Sequence, residues 1–262
     1  IDHAPNPHSS KLQGANIYDD DIYTTAGLPS TYGSGSRESN LKSDFDNGVT
    51  IEFWLKKAAF ANASSQTEKE VIFDLWNNNA VGSSDNSYGR ITVSLDGGVG
   101  STATPFKITI QSGSTSIHER SLGTNITKTT IQDWNHYAIV LQNSGSGFGL
   151  EMYLNGYLDD KDIVASTGYK QLSQKGLMGR IGALLTASQA NPASIVYPQE
   201  GNIAGGGKLS GSIDEFRFWK KARSGREIGM NWYQQVHGGV NSEIYNADLG
   251  VYFKFNEGIT TD

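Results

Sequence analysis

The 262-residue sequence contains no cysteine. That absence removes disulfides, thiolate zinc sites, iron–sulfur clusters and a cysteine nucleophile together. No apolar run approaches the ~18 residues a membrane helix needs, so membrane insertion by a helix is not expected. An excess of positive charge is also missing. The 21 basic and 27 acidic side chains leave a formal charge of −6, which disfavours non-specific binding to nucleic acid or anionic membrane. The opening Ile1-Asp2-His3-Ala4-Pro5 has neither the basic start nor the apolar stretch of a secretory signal, and no initiator Met. With a strand-like run close to Asp262, the chain has the look of a processed or excised piece of a longer protein.

Glycine is abundant, with 31 residues against a usual share of ~7%, while proline is scarce at 6. Together with many Ser, Thr and Asn residues, this favours short strands joined by turns. Residues 1–40 form a polar lead-in, and the domain proper spans 41–262. From Val49 onward a period of two dominates. Val49, Ile51, Phe53 and Leu55 fall on one face, and Val71, Phe73 and Leu75 alternate likewise. So do Ile91, Val93 and Leu95, then Phe106, Ile108 and Ile110. Trp134–Gln142 is apolar on both faces, as a central strand covered on both sides would be. Phe148, Leu150, Met152 and Leu154 run into Asn155-Gly156, a pair that favours a type I′ hairpin. Arg180–Leu185, Leu209–Trp219 and Leu249–Phe255 are further strands.

One helix is expected. Ser224-Gly225-Arg226-Glu227 matches the capping box, Ile228, Trp232 and Val236 form a stripe, and Gly238-Gly239 supplies a stop. Residues 186–207 resemble a long loop insertion. These signals predict an all-β fold, a two-sheet antiparallel jelly-roll sandwich with one short helix near the C-terminus.

Five ordered segments carry a resemblance. They are Val49–Lys56, Trp134–Ala138, Leu150–Gly156, Gly211–Arg223 with its Ile213-Asp214-Glu215-Phe216-Arg217-Phe218-Trp219 core, and Gly250–Gly258. In this order they resemble laminin-G-like jelly rolls of the concanavalin A-like lectin/glucanase superfamily. The Asn-, Ser- and Gly-rich character is similar to modules in structural proteins of marine bacteriophages. The resemblance implies a two-sheet fold, often with a structural calcium, and carbohydrate or surface binding at the loop rim. It does not imply catalysis, because function belongs to the site and not the fold.

Glucanases of that superfamily carry a Glu-x-Asp-x-(x)-Glu strand that sets two carboxylates at the separation needed for retention. Nothing here fits, since Glu68-Lys69-Glu70 lacks the central Asp and is expected as a solvated strand entry. His118-Glu119 begins like a zinc motif, but Leu122 stands where the second His would be. His136 is expected as a hydrogen-bonded structural residue, and Trp54, Trp134, Trp219 and Trp232 as packing residues.

Calcium is the better metal expectation. Asp214 shares strand parity with Phe216 and Phe218, and a carboxylate on an apolar face is costly unless paired or bound to a cation. The resemblance implies a structural Ca2+ near this aspartate. Asp44, Asp46 and the Asp19-Asp20-Asp21 run are candidate partners, the alternative being that Asp214 caps backbone N–H groups. For sugars, Trp76 and Asn77 offer an aromatic platform and an amide at a strand exit, with Tyr88 and Tyr197 as further loop-borne aromatics.

The expected function is a non-catalytic carbohydrate- or surface-recognition module displayed extracellularly, on a phage virion or a cell surface. Its expected partner is a carbohydrate or host-surface glycan, with no nucleic acid and no membrane insertion. A structural decoration domain contacting other virion proteins is the second reading, and a polysaccharide hydrolase with unfamiliar residues the third.

Overall fold

The computed structural model describes residues 16–18, 40–41, 43–60, 69–77, 89–112, 115–165, 169, 177–185, 206–236 and 248–255. Among these, twelve strands form in chain order. They are β1 (Asn16–Tyr18), β2 (Val49–Lys57), β3 (Lys69–Asn77), β4 (Gly89–Asp96), β5 (Phe106–Ser112) and β6 (Thr115–Ser121), then β7 (Asn135–Ser144), β8 (Gly147–Leu154), β9 (Tyr157–Val164), β10 (Leu177–Ile181), β11 (Gly211–Trp219) and β12 (Leu249–Phe253). All pair antiparallel, in two six-stranded sheets ordered β1-β10-β3-β4-β5-β6 and β12-β11-β2-β7-β8-β9. One helix, α1 (Gly225–Asn231), and one 3-10 turn, Thr130–Gln132, accompany them. The chain is a two-sheet jelly-roll sandwich. β1 lies inside the stretch expected as a polar lead-in and edges the first sheet.

The alternation of the strands builds the core. Val49, Ile51, Phe53 and Leu55 of β2 are fully buried with Phe73 and Leu75 of β3 and Ile91, Val93 and Leu95 of β4. Aromatic rings join the layers: Phe73 meets Phe216 at 5.1 Å and Phe218 at 5.9 Å between centroids, and Phe53 stacks on Phe106 at 6.5 Å. Such rings contribute large buried areas and fix their mutual geometry.

The second sheet is covered on its outer face as well. His136, Ala138 and Val140 of β7 alternate with core-facing Tyr137, Ile139 and Leu141, and all six are buried. Ile228 of α1 packs there with Ala138, Val140 and Tyr153. The helix starts as its capping box dictates. Ser224 Oγ accepts the Glu227 N–H at 3.3 Å and Glu227 Oε2 accepts the Ser224 N–H at 2.7 Å. Burial pushes the Glu227 carboxyl up, but Lys221 and the Ser224 donors outweigh it and hold it at about 2. The helix ends at Asn231, well short of Gly238-Gly239, which lies outside the described residues. Two contacts tie the residues after the helix to the sheet: the Trp232 ring sits 5.5 Å from Trp54, and Arg217 Nη2 donates to the Gln234 carbonyl.

The Asn155-Gly156 turn has φ of +49° and +84°, the left-handed pair a type I′ hairpin requires. Gly156 is doubly constrained, because a Cβ there would overlap the Trp232 indole. Gly156→Ala should therefore cost about 2 kcal/mol, seen as a lowered urea midpoint with unchanged slope. An unshifted midpoint would show that the hairpin and Trp232 yield without cost.

Trp134 departs from expectation. It precedes β7 and is 45% exposed, so it is not a packing residue. The strand expected at Arg180–Leu185 instead spans Leu177–Ile181, ended by Gly182 at φ +82°.

Candidate functional site

Trp76 and Asn77 close β3, where Trp76 pairs with Arg90 of β4 and with Met178 of β10, and Asn77 with Leu177. The pairing sets both at the end of the first sheet where β4 begins. Tyr88 and Tyr197 lie outside the described residues, as do the insertion core at 186–205 and the Asp19-Asp20-Asp21 run.

Two residues before Trp76, Asp74 is fully buried and saturated. Its Oδ1 accepts from Arg90 Nε and Thr92 Oγ1, both at 2.8 Å. Its Oδ2 accepts from Arg90 Nη2 at 2.6 Å and the Leu185 N–H at 2.9 Å. Four donors fill the lone-pair sites of a carboxylate, leaving none for a metal. Asp74 is a clamp that ties the Leu184–Leu185 segment onto the sheet.

The reason for expecting a metal at Asp214 is overturned. Glu215 adopts φ +51°, and the β11–β2 register shifts between Asp214 and Arg217. This β-bulge inserts a residue and breaks the alternation, so Phe216 and Phe218 face the core while Asp214, opposite Trp54, does not. Asp214 Oδ1 accepts the Glu215 N–H at 2.9 Å, which is the capping role held as the alternative. Burial raises its carboxyl from the ordinary value, and that backbone bond opposes the rise.

Asp44 and Asp46 lie elsewhere. Asp44 accepts from the Asp46 N–H at 3.0 Å and Asn47 Nδ2 at 3.1 Å, and Asp46 accepts from Asn143 Nδ2 at 2.6 Å. Asn143 and His136, the β7 neighbour of Trp54, stand seven residues apart on one strand, on the order of 20 Å. Asp214 and the other two aspartates therefore do not fit one calcium site. Among the described residues, no three His, Asp or Glu side chains could hold a metal ion.

The outer face of the second sheet carries a buried charge network that alternation alone marks as solvent-facing. Glu52, fully buried, accepts from Arg223 Nη1 through Oε1 and lies 3.5 Å from Arg217 Nη1 through Oε2. Arg217 also donates to Glu215 at 2.9 Å, and Tyr252 donates its hydroxyl to the same carboxylate. Arg223 stacks 4.4 Å above the Trp219 ring and reaches the Glu227 carbonyl at 3.2 Å. His136 is buried between Trp54 and Trp232, with ring centroids at 5.8 and 6.1 Å. Contrary to expectation it is not hydrogen-bonded, since neither ring nitrogen has a partner among the described residues and Glu52 stands 3.9 Å away. Burial, then Arg217 and Arg223, push the imidazole down to about 3.

Glu70 is likewise not a solvated strand entry. It holds the buried Lys57 ammonium at 2.9 Å and accepts the Ser210 N–H.

Two surface hollows are lined by described residues. One, of about 480 Å³, lies between edge strands β6 and β9 and is lined by His118, Glu119, Arg120, Asp160, Lys161 and Asp162. Its charges are engaged with each other or with neighbours: Glu119 with Lys69, Arg120 with Asp162, Lys161 with Glu151, and Asp160 with the Gly123 N–H. The other, of about 520 Å³, sits at the end of the sandwich opposite Trp76. Phe60, the Gly98–Ser101 turn, Lys128, Thr129 and Gln132 line it. Sequence reasoning missed this second hollow, whose one local trace is the Gly97-Gly98-Val99-Gly100 turn.

No protein-family model matches the sequence, and no curated protein matches it. Among solved structures, a candidate carbohydrate-binding protein from Bacteroides ovatus is similar at 16% identity and a TM-score of 0.43, over 84% of this chain and 48% of that one. A heptameric pentraxin from Limulus polyphemus is similar at 18% identity and 0.39, over 70% and 68%. Tailspike protein 2 of an Escherichia coli O157:H7 bacteriophage is similar at 10% identity and 0.44, over 81% and 24%. The chain thus spans about half the length of the first of these and a quarter of the last. With each of these TM-scores below 0.5 and each identity below 25%, the likenesses say nothing about which ligand the chain takes, and the fold stands on the strand pairing itself.

Proposed function

We propose that this chain is a non-catalytic recognition module of the laminin-G-like kind, displayed extracellularly or on a virion, that binds carbohydrate through the loops at an end of its sandwich. The observation that supports it is the engagement of the buried carboxylates. Glu52, Asp74 and Glu215 each hold two or more donors within the protein. A glycosidase needs two carboxyl groups facing one cleft, one protonated to release the leaving group and one free to attack or to activate water. These three are committed to folding instead. Binding needs less: a rigid frame, an aromatic face for the C–H side of a sugar ring, and amides or hydroxyls for its edge.

The test is a glycan array on the purified chain, run with calcium and with chelator, beside a reducing-sugar assay on a polysaccharide panel. A saturable glycan hit without sugar release is expected. A sugar seated at the Trp76 end would lose about tenfold in affinity with Trp76→Ala, the loss of one aromatic contact. Unchanged binding would remove Trp76 from the site, and sugar release would replace the recognition reading with a hydrolase.

A further inference from the structure

We infer that the hollow at the Phe60 end is a binding site for a neutral oligosaccharide, with Trp134 and Tyr157 as its exposed platforms. The inference rests on the carbohydrate reading and places the ligand at the opposite end of the sandwich from Trp76. The hollow, about 520 Å³, falls within the ~300–1,000 Å³ of small-molecule sites. Its lining is the mixture a sugar requires: the Phe60 ring, the Ser101 and Thr129 hydroxyls, the Gln132 amide and the backbone of Gly98–Gly100. Among the described residues no carboxylate lines it, and the one cation among them, Lys128, donates to the Gly97 carbonyl at 3.1 Å. That lining favours an uncharged hydroxyl-rich ligand over a cationic or metal-bridged one.

The platforms are exposed yet held. Trp134 is 45% exposed and Tyr157 79% exposed, although large aromatic side chains gain by leaving water. Trp134 stands two residues beyond Gln132 in a turn that Asn135 fixes. Asn135 Nδ2 donates to the carbonyls of Thr130 at 3.0 Å and Asp133 at 3.3 Å. Asn135 Oδ1 accepts from Asn155 Nδ2 at 2.8 Å, and Asn155 Oδ1 accepts the His136 N–H at 2.9 Å. These bonds join the Trp134 turn to the Asn155-Gly156 hairpin that carries Tyr157. Two exposed aromatic side chains, Trp134 flanked in the chain by polar Asp133 and Asn135, suit successive sugar rings better than the continuous apolar centre of a protein interface. A pre-ordered site also avoids the ordering cost that weakens loop-borne recognition.

The experiment titrates the chain by calorimetry with cellohexaose, laminarihexaose, xylohexaose and mannohexaose, with sialylated and uronic-acid glycans as charged comparators. Wild type, Trp134→Ala, Gln132→Ala and Trp76→Ala are compared, each first shown by thermal melting to stay folded. A neutral hexasaccharide that binds wild type and Trp76→Ala alike, but loses about tenfold with Trp134→Ala and about fivefold with Gln132→Ala, establishes the site. Loss with Trp76→Ala alone overturns this placement and keeps the carbohydrate reading, as does binding confined to charged glycans. Silence from every glycan overturns both, and a protein partner released by Trp134→Ala would then claim the surface.

Discussion

Between pH 7 and pH 3 the wild-type chain should lose roughly 3–5 kcal/mol of stability that a His136→Phe variant does not lose. The imidazole is held at about 3, against an ordinary value near 6.5, and each unit of difference corresponds to ~1.4 kcal/mol. The sign follows from proton counting. In the folded chain His136 stays neutral until about pH 3, whereas the unfolded chain takes up its proton below about 6.5. Stability is therefore complete above pH 6.5, falls as the pH drops toward 3, and gains no further loss from this group below that. Burial dominates the shift, and the guanidiniums of Arg217 and Arg223 add to it. Glu52, the carboxylate 3.9 Å away, already answers those two arginines. Phenylalanine suits the site because no hydrogen bond to either ring nitrogen is lost and the neighbours are indoles. Urea midpoints taken at half-unit pH steps would read the difference. Superimposed curves for the two proteins would show that His136 is charged or solvated in the folded state.

The same residue marks where sequence reading stops. Alternation in β2 and β8, the Asn155-Gly156 turn and the Ser224–Glu227 box were legible because each is a local pattern with a local cause. Burial of Glu52 was not, because its cover and its Arg223 partner come about 170 residues later. Glu52 alternates with core residues and so reads as surface, whereas His136 lies on a strand apolar on both faces and departs from expectation only in lacking a hydrogen-bond partner for its ring among the described residues. Asp214 failed differently. A single residue in the left-handed region at Glu215 reverses the parity of everything before it, and nothing in the apolar pattern announces the bulge. Trp134 was counted into β7 because apolar residues follow it, yet Asn135 holds it in the turn ahead of the strand. The candidate sugar hollow leaves only the Gly97-Gly98-Val99-Gly100 turn as a local trace. Phe60, Gly98–Ser101 and Lys128–Gln132 come from three separate connections that only the closed sandwich brings together.

Glu52→Ala should be among the most damaging single substitutions in the described part of the chain, at about 3–5 kcal/mol. The pair it breaks is not a surface salt bridge. Glu52 and Arg217 are essentially inaccessible and Arg223 nearly so, with side-chain exposures of 0%, 2% and 6%. Removing the carboxylate leaves Arg223 without its Oε1 acceptor and Arg217 without one of its two carboxylates, so two desolvated cations face each other across a new cavity. The melting temperature should fall on the order of 10 °C for a chain of this length. Lys161→Ala supplies the comparison. Its pair with Glu151 has exposures of 53% and 24%, and its loss should cost less than 1 kcal/mol. Equal losses in the two variants would mean that solvent reaches Glu52. A further double substitution, Glu52→Leu with Arg223→Met, separates charge from packing. Buried ion pairs gain little over apolar groups of similar volume, so it should recover much of what Glu52→Ala loses. Arg217 then retains Glu215, the Gln234 carbonyl and the Tyr252 ring as partners, and its bond to Gln234 together with the packing of Trp232 on Trp54 would still hold the segment after α1 against the sheet.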